Sequence, residues 1–113
     1  MNTLFFIITQ EDIQQYAQIS NDHNPIHLDE ELAQSHGFPS TVAHGLLTMA
    51  KAWSIISASL LIPTDFPKDY ELKFPSPVYA DDVIALQVVK MGNRMRIIGK
   101  SNNLVVIKGF FYQ

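Results

Sequence analysis

The 113-residue chain has no cysteine. A disulfide scaffold, a thiolate nucleophile and a cysteine-ligated metal are thereby excluded, and the composition fits a reducing cytoplasm. Positive charge is also scarce. Eight Lys and Arg stand against 11 Asp and Glu, for a net charge of −3, and the cations form no run. Nothing resembles the electrostatic footprint of a nucleic-acid binder. A clean membrane span is missing too. The longest apolar tract, Val42–Ile62, carries His44, Lys51 and the hydroxyls of Thr48, Ser54, Ser57 and Ser59, whereas a bilayer asks for about 20 predominantly apolar residues with ionisable groups rare among them. The N-terminal apolar run has no basic residue ahead of it and no small-residue cleavage site. Glu11 and Asp12 follow it closely, so it reads as a strand rather than a signal peptide.

What is present is the composition of a folded domain. Apolar residues make up 47% and charged residues 17%, which separates the chain from disordered sequences. The length suits one domain, residues 1–113. A domain this small leaves much of its surface exposed, so burial in an oligomer would help it.

Leu4–Thr9 reads as a strand. Gln10–Ile19 carries Ile13, Tyr16, Ala17 and Ile19 at helical spacing, with Thr9 as its cap. Ser20–His27 is dense in polar and turn residues, and Pro25 disfavours a helical Asn24, so this stretch reads as a loop. Asp29 caps a short helix over Glu30–Ser35, which Gly37 ends. A long helix lies within Val42–Leu61, with His44 and Gly45 at its start. Its apolar residues fall on nearly every side, which predicts burial on every side. The second half supplies strands to wrap it. These are Tyr70–Phe74 with strict alternation, Val83–Lys90, Arg94–Lys100 after a turn at Gly92-Asn93, and Leu104–Tyr112 after a turn at Ser101–Asn103. The expected class is α+β, a curved antiparallel sheet around a central helix.

Asp22, His27 and the His44-Gly45 pair carry the candidate chemistry. Hydration of an electron-poor double bond needs a water held and deprotonated, a proton delivered to the neighbouring carbon, and a carbonyl polarised as charge gathers on its oxygen. A carboxylate and an imidazole in reach of one water meet the first two needs. A backbone N–H at a helix N-terminus meets the third, and Gly45 has no side chain to keep a carbonyl away. From the residues alone, Asp22 reads equally well as an Asx-turn or capping carboxylate.

The run from Asp22 to Asp29 (DHNPIHLD), followed by Gly37–Gly45 (GFPSTVAHG), resembles the MaoC-like (R)-specific enoyl-thioester hydratases, the hydratase 2 group. Asp22, Asn24, Pro25, His27, Asp29, Ala33, Phe38, Ala43, His44 and Gly45 match that family's two blocks at matching separation. Phe74–Asp82 is similar, more weakly, to a later family segment, although Ala80 stands where the family favours glycine. The resemblance implies the hot-dog fold, usually dimeric, and a reaction that reversibly hydrates trans-2-enoyl thioesters of coenzyme A or acyl carrier protein to (R)-3-hydroxyacyl thioesters. It implies that Asp22 and His27 activate water and that Gly45 N–H holds the thioester carbonyl. Asn24, Pro25 and His44 are supporting residues, and no cofactor is needed. Some members place a serine on the central helix where this chain has Trp53. Trp53 is therefore read as bordering the acyl pocket, with plain core packing as the alternative.

The remaining candidates have blander readings. His23 is taken as an exposed loop residue. Four histidines and the carboxylates raise the question of a metal, but their spacing does not put two His on one helix face with a carboxylate, and none is expected. Arg94, Arg96 and Lys100 suit the phosphates of coenzyme A or form a solvated strand face. Lys51, inside the apolar helix, either faces a partner subunit or reaches solvent along its stem. Two rival functions stand beside the hydratase. One is a hot-dog acyl thioesterase, which needs a carboxylate placed for attack on the carbonyl. The other is a non-catalytic acyl-thioester-binding subunit, against which the Asp22–His27 pair argues.

Overall fold

The computed structural model describes residues 2–61 and 68–112. The chain begins with strand β1 (Asn2–Ile7) and enters helix α1 (Gln10–Ser20). Thr9 caps that helix through a reciprocal capping box with Asp12, each side chain taking the other's backbone N–H at 3.0 Å. This backbone N–H holds the Asp12 carboxyl below the usual Asp range. The Lys51 ammonium at 3.3 Å acts in the same direction. Lys51 therefore resolves as an ion-paired residue that tethers the long helix to α1.

Two short helices follow, α2 (Pro25–Leu28) and α3 (Glu30–Ser35). The first corrects the expectation of a loop through His27. Asn24 is non-helical, as a residue before proline should be, but it is the N-cap. Pro25 occupies the first helical turn, where its missing N–H costs nothing. Asp29 caps α3 as expected, and Gly37 follows its end at φ 91°.

Helix α4 spans Gly45–Leu60, beginning after an extended Val42–His44 segment. Ile62, which closes the apolar tract, lies outside the described residues. Leu47, Ala52 and Ile56 pack from α4 onto Ile84, Leu86, Val88, Ile97, Val106 and Phe111 of the sheet. Strands β2 (Lys68–Lys73), β3 (Val83–Met91), β4 (Arg94–Ser101) and β5 (Leu104–Tyr112) complete an antiparallel sheet in the order β1-β3-β4-β5-β2. Asn102 and Asn103 both take positive φ, the conformation of a two-residue type I′ hairpin.

The prediction that α4 is buried on all sides is overturned for the single chain. Leu46 is 63% exposed, and Ala50, Ser54 and Ala58 continue that exposed stripe. A single sheet covers only one face of a helix. Among the described residues, the stripe opposite the sheet is left exposed.

Gly109 on β5 sits where β2 crosses closely. A Cβ there would run into the backbone carbonyl of Glu71, and a clash with backbone is not relieved by a side-chain rotation. Gly109→Ala should therefore detach or shift β2 and lower stability by at least about 1–3 kcal/mol. Chemical denaturation measures this, and an unchanged midpoint would show that the two strands can separate freely.

Candidate functional site

Asp22 follows α1 directly, after Asn21 turns the chain in the left-handed conformation. The Asp22 carboxylate accepts the N–H of Asn24 at 3.2 Å, and Asn24 in turn accepts that of Ile26 at 3.2 Å. The Asx-turn reading of Asp22 is thus realised. It leaves the rest of an exposed carboxylate free for a ligand. His27 sits in α2, 8% exposed. Its Nδ1 lies 2.5 Å from the carbonyl of Val42. A carbonyl can only accept, so Nδ1 carries a proton, and in the neutral ring the lone pair falls on Nε2. That is the tautomer a general base requires.

His44 is 3% exposed and occupies the N-cap of α4 without capping it through its side chain. Its Nε2–H donates instead to the backbone carbonyl of Asp22 at 3.1 Å. Its ring stacks on that of His27, centroids 3.7 Å apart and planes 24° apart, and Tyr16 meets it edge-on at 4.8 Å. His44 therefore touches both members of the proposed pair. Tyr16 and the Val42 carbonyl had no signal in the sequence. Tyr16 reads there as one more apolar position on a helix, and a backbone acceptor is invisible to residue type.

One donor atom each from Asp22, His27 and His44 lies within 4.8 Å of the others. Such a spacing is bridged by a single water at ordinary hydrogen-bond lengths, about 2.8 Å to each side. The same donor set would suit zinc. The ring stacking argues otherwise, because imidazole lone pairs lie in the ring plane and two nearly parallel planes send them side by side rather than toward one ion.

A cleft of about 440 Å³ is lined by Tyr16, Ser20, Asp22, His27, His44, Gly45 and Leu46. Gly45 is the first residue of α4, so its N–H has no partner inside the helix and adds the dipole's positive end. A second, more apolar cleft of about 220 Å³ shares Gly45 and runs along Val42, Thr48, Phe74 and Val78. Gly45 is the junction between a polar chamber and an apolar one.

Trp53 packs edge-on against Tyr70 and Phe111, each at 5.2 Å, and lines neither of these two clefts. Trp53→Ala should accordingly lower stability by on the order of 3 kcal/mol and leave the preference among short, medium and long enoyl thioesters unchanged. A shifted chain-length profile would return Trp53 to the acyl pocket. His23 is exposed and outside the site. Arg94 and Arg96 lie on the sheet beside Lys73 and Lys108, with Arg94 over the Phe110 ring at 4.4 Å.

The MaoC like domain family matches residues 5–108. The mitochondrial 3-hydroxyacyl-(acyl-carrier-protein) dehydratase of Arabidopsis thaliana is 36% identical, over 91% of this chain and 68% of its own length. The (R)-specific enoyl-CoA hydratase of Rhodospirillum rubrum is 32% identical, over 75% of this chain. The chain spans 59% of that relative and 28% of the 3-hydroxyacyl-thioester dehydratase X of Mycobacterium tuberculosis. Among solved structures, the unliganded R-hydratase PhaJ1 of Pseudomonas aeruginosa superposes with a TM-score of 0.82 at 26% identity, over 97% of this chain and 76% of that one. The chain belongs to the MaoC-like domain family and has the hot-dog fold of the R-hydratases.

Proposed function

We propose that the chain is a hydro-lyase that reversibly hydrates trans-2-enoyl thioesters to (R)-3-hydroxyacyl thioesters. One observation carries the reading. A carboxylate, an imidazole and the first residue of a helix line one cleft, at Asp22, His27 and Gly45. The names of the relatives support the same substrate class. In hydration, the pair takes a proton from the bridging water as the water oxygen bonds to C3. The negative charge passes to the thioester oxygen at Gly45 N–H, and the pair returns a proton to C2. The double bond is lost and the charge on the pair is restored at the end of the cycle. Both directions are accelerated by the one arrangement.

Crotonyl-CoA tests it. Hydration lowers the absorbance of the conjugated thioester without releasing thiol. Thiol release would identify a thioesterase, and absence of both changes would leave a binding subunit.

The active assembly is a homodimer in this reading. The exposed Leu46–Ala50–Ser54 stripe of α4 and the edge strand β2, whose Tyr70 is 56% exposed, offer the surface. Sedimentation at micromolar concentration should give twice 12.8 kDa, with on the order of 1,000 Å² or more buried in total. A monomer mass would refute it. The substrate is carried on coenzyme A or acyl carrier protein. The cysteine-free composition favours the cytoplasm as its place.

A further inference from the structure

We propose that Gln10 is a positioning residue that holds His27 in register with Asp22, an inference that rests on His27 being a member of the water-activating pair. Helix α2 is a single turn, so its closing carbonyls have no partner within it. The carbonyl of His27 is one of these, and the side-chain amide of Gln10 donates to it at 3.1 Å. Because a carbonyl only accepts, the amide nitrogen must face His27 and the amide oxygen must face away. The hydroxyl of buried Thr41 donates to that oxygen at 2.5 Å. Thr41 is fixed in its turn, its own carbonyl accepting the N–H of Ala80 at 3.1 Å.

Gln10 thus joins the start of α1, the end of α2 and the extended segment ahead of α4. The residue after Thr41 completes the clamp. Val42 accepts His27 Nδ1–H and donates its own N–H to Ile26 at 3.0 Å. The dipeptide Thr41-Val42 therefore governs the ring of His27 through Val42 and its main chain through Gln10. Neither Gln10 nor Thr41 lines the cleft of Asp22 and His27. Both line a separate polar cleft of about 350 Å³ with Leu28 and Glu30, so they act through His27 and not on substrate. Loss of the amide leaves the His27 carbonyl without its partner and frees α2 to slide, and displacements near 1 Å are enough to depress turnover.

Gln10→Met keeps length and removes both hydrogen bonds. With crotonyl-CoA, kcat should fall roughly tenfold while KM stays within about twofold, the mark of misplaced chemistry rather than lost binding. Thr41→Val should reproduce the loss and Thr41→Ser should restore wild-type turnover. In a His27→Gln background, Gln10→Met should cost no further turnover, although any stability cost remains. A readout independent of turnover is the His27 Nδ1–H resonance, whose exchange with solvent should quicken about tenfold in Gln10→Met as the ring loosens. Unchanged kcat and exchange in Gln10→Met would overturn the proposal, as would a turnover loss that persists in the His27→Gln background. If the wild type hydrates nothing but the exchange still quickens, the hydratase reading fails and the positioning of His27 by Gln10 stands.

Discussion

Asp22→Asn and His27→Gln are each expected to lower crotonyl-CoA hydration by about 10²-fold or more, the usual scale for a general acid–base group. Asp22→Asn keeps an oxygen to accept the Asn24 N–H, so the Asx turn survives while the charge disappears. His27→Gln keeps a donor for the Val42 carbonyl and removes the lone-pair nitrogen. If the two act on one water, as proposed, the double substitution should cost little beyond the worse single. Additive losses would mean that the two residues serve separate steps. A folded variant that kept near-normal hydration would remove its residue from the chemistry and, with it, the central reading of the cleft. His44 supports the pair differently, through a hydrogen bond to the Asp22 main chain and a stack on the His27 ring.

The candidate residues of this site were legible in the sequence. Asp22, His27 and Gly45 lie together in one cleft because the chain turns sharply at Asn21 and again at Pro25, and those turn residues are legible. The strand alternation and the hairpin at Asn102-Asn103 were legible for the same reason, since period and turn chemistry are local. What stayed hidden is what depends on backbone groups or on distant segments. The tautomer of His27 is set by a carbonyl 15 residues away. The brace at Gln10 reaches Thr41 across 31 residues. Pro25 signalled its effect on the preceding Asn24 and not the helical turn that it opens. The all-round apolar pattern of α4 did not translate into all-round burial, because period reports which residues are apolar and not what lies against them, and the Leu46–Ala50–Ser54 stripe is exposed.

Gly45→Ala is the second large effect expected, and it separates activity from folding more cleanly than either acid–base variant. A Cβ at Gly45 meets no atom within 4 Å, and the residue needs no positive φ. Alanine at the first position of α4 is therefore compatible with the fold and does not weaken the helix. The thermal midpoint should stay level or rise slightly. Yet the added methyl enters space that both clefts share at Gly45, beside the N–H proposed to receive the carbonyl. A carbonyl pushed off by about 1 Å loses both its hydrogen bond and the alignment of C2 and C3 with the Asp22–His27 pair, at a cost on the order of 10²-fold in turnover. Because the N–H itself is retained, the loss measures position and not the donor. Stopped-flow hydration kinetics beside a melting curve decide the matter. Full activity with an intact fold would place the reacting carbonyl somewhere other than the N-terminus of α4. Lost activity with a lowered midpoint would mean that the space at Gly45 is needed by the protein rather than by its substrate.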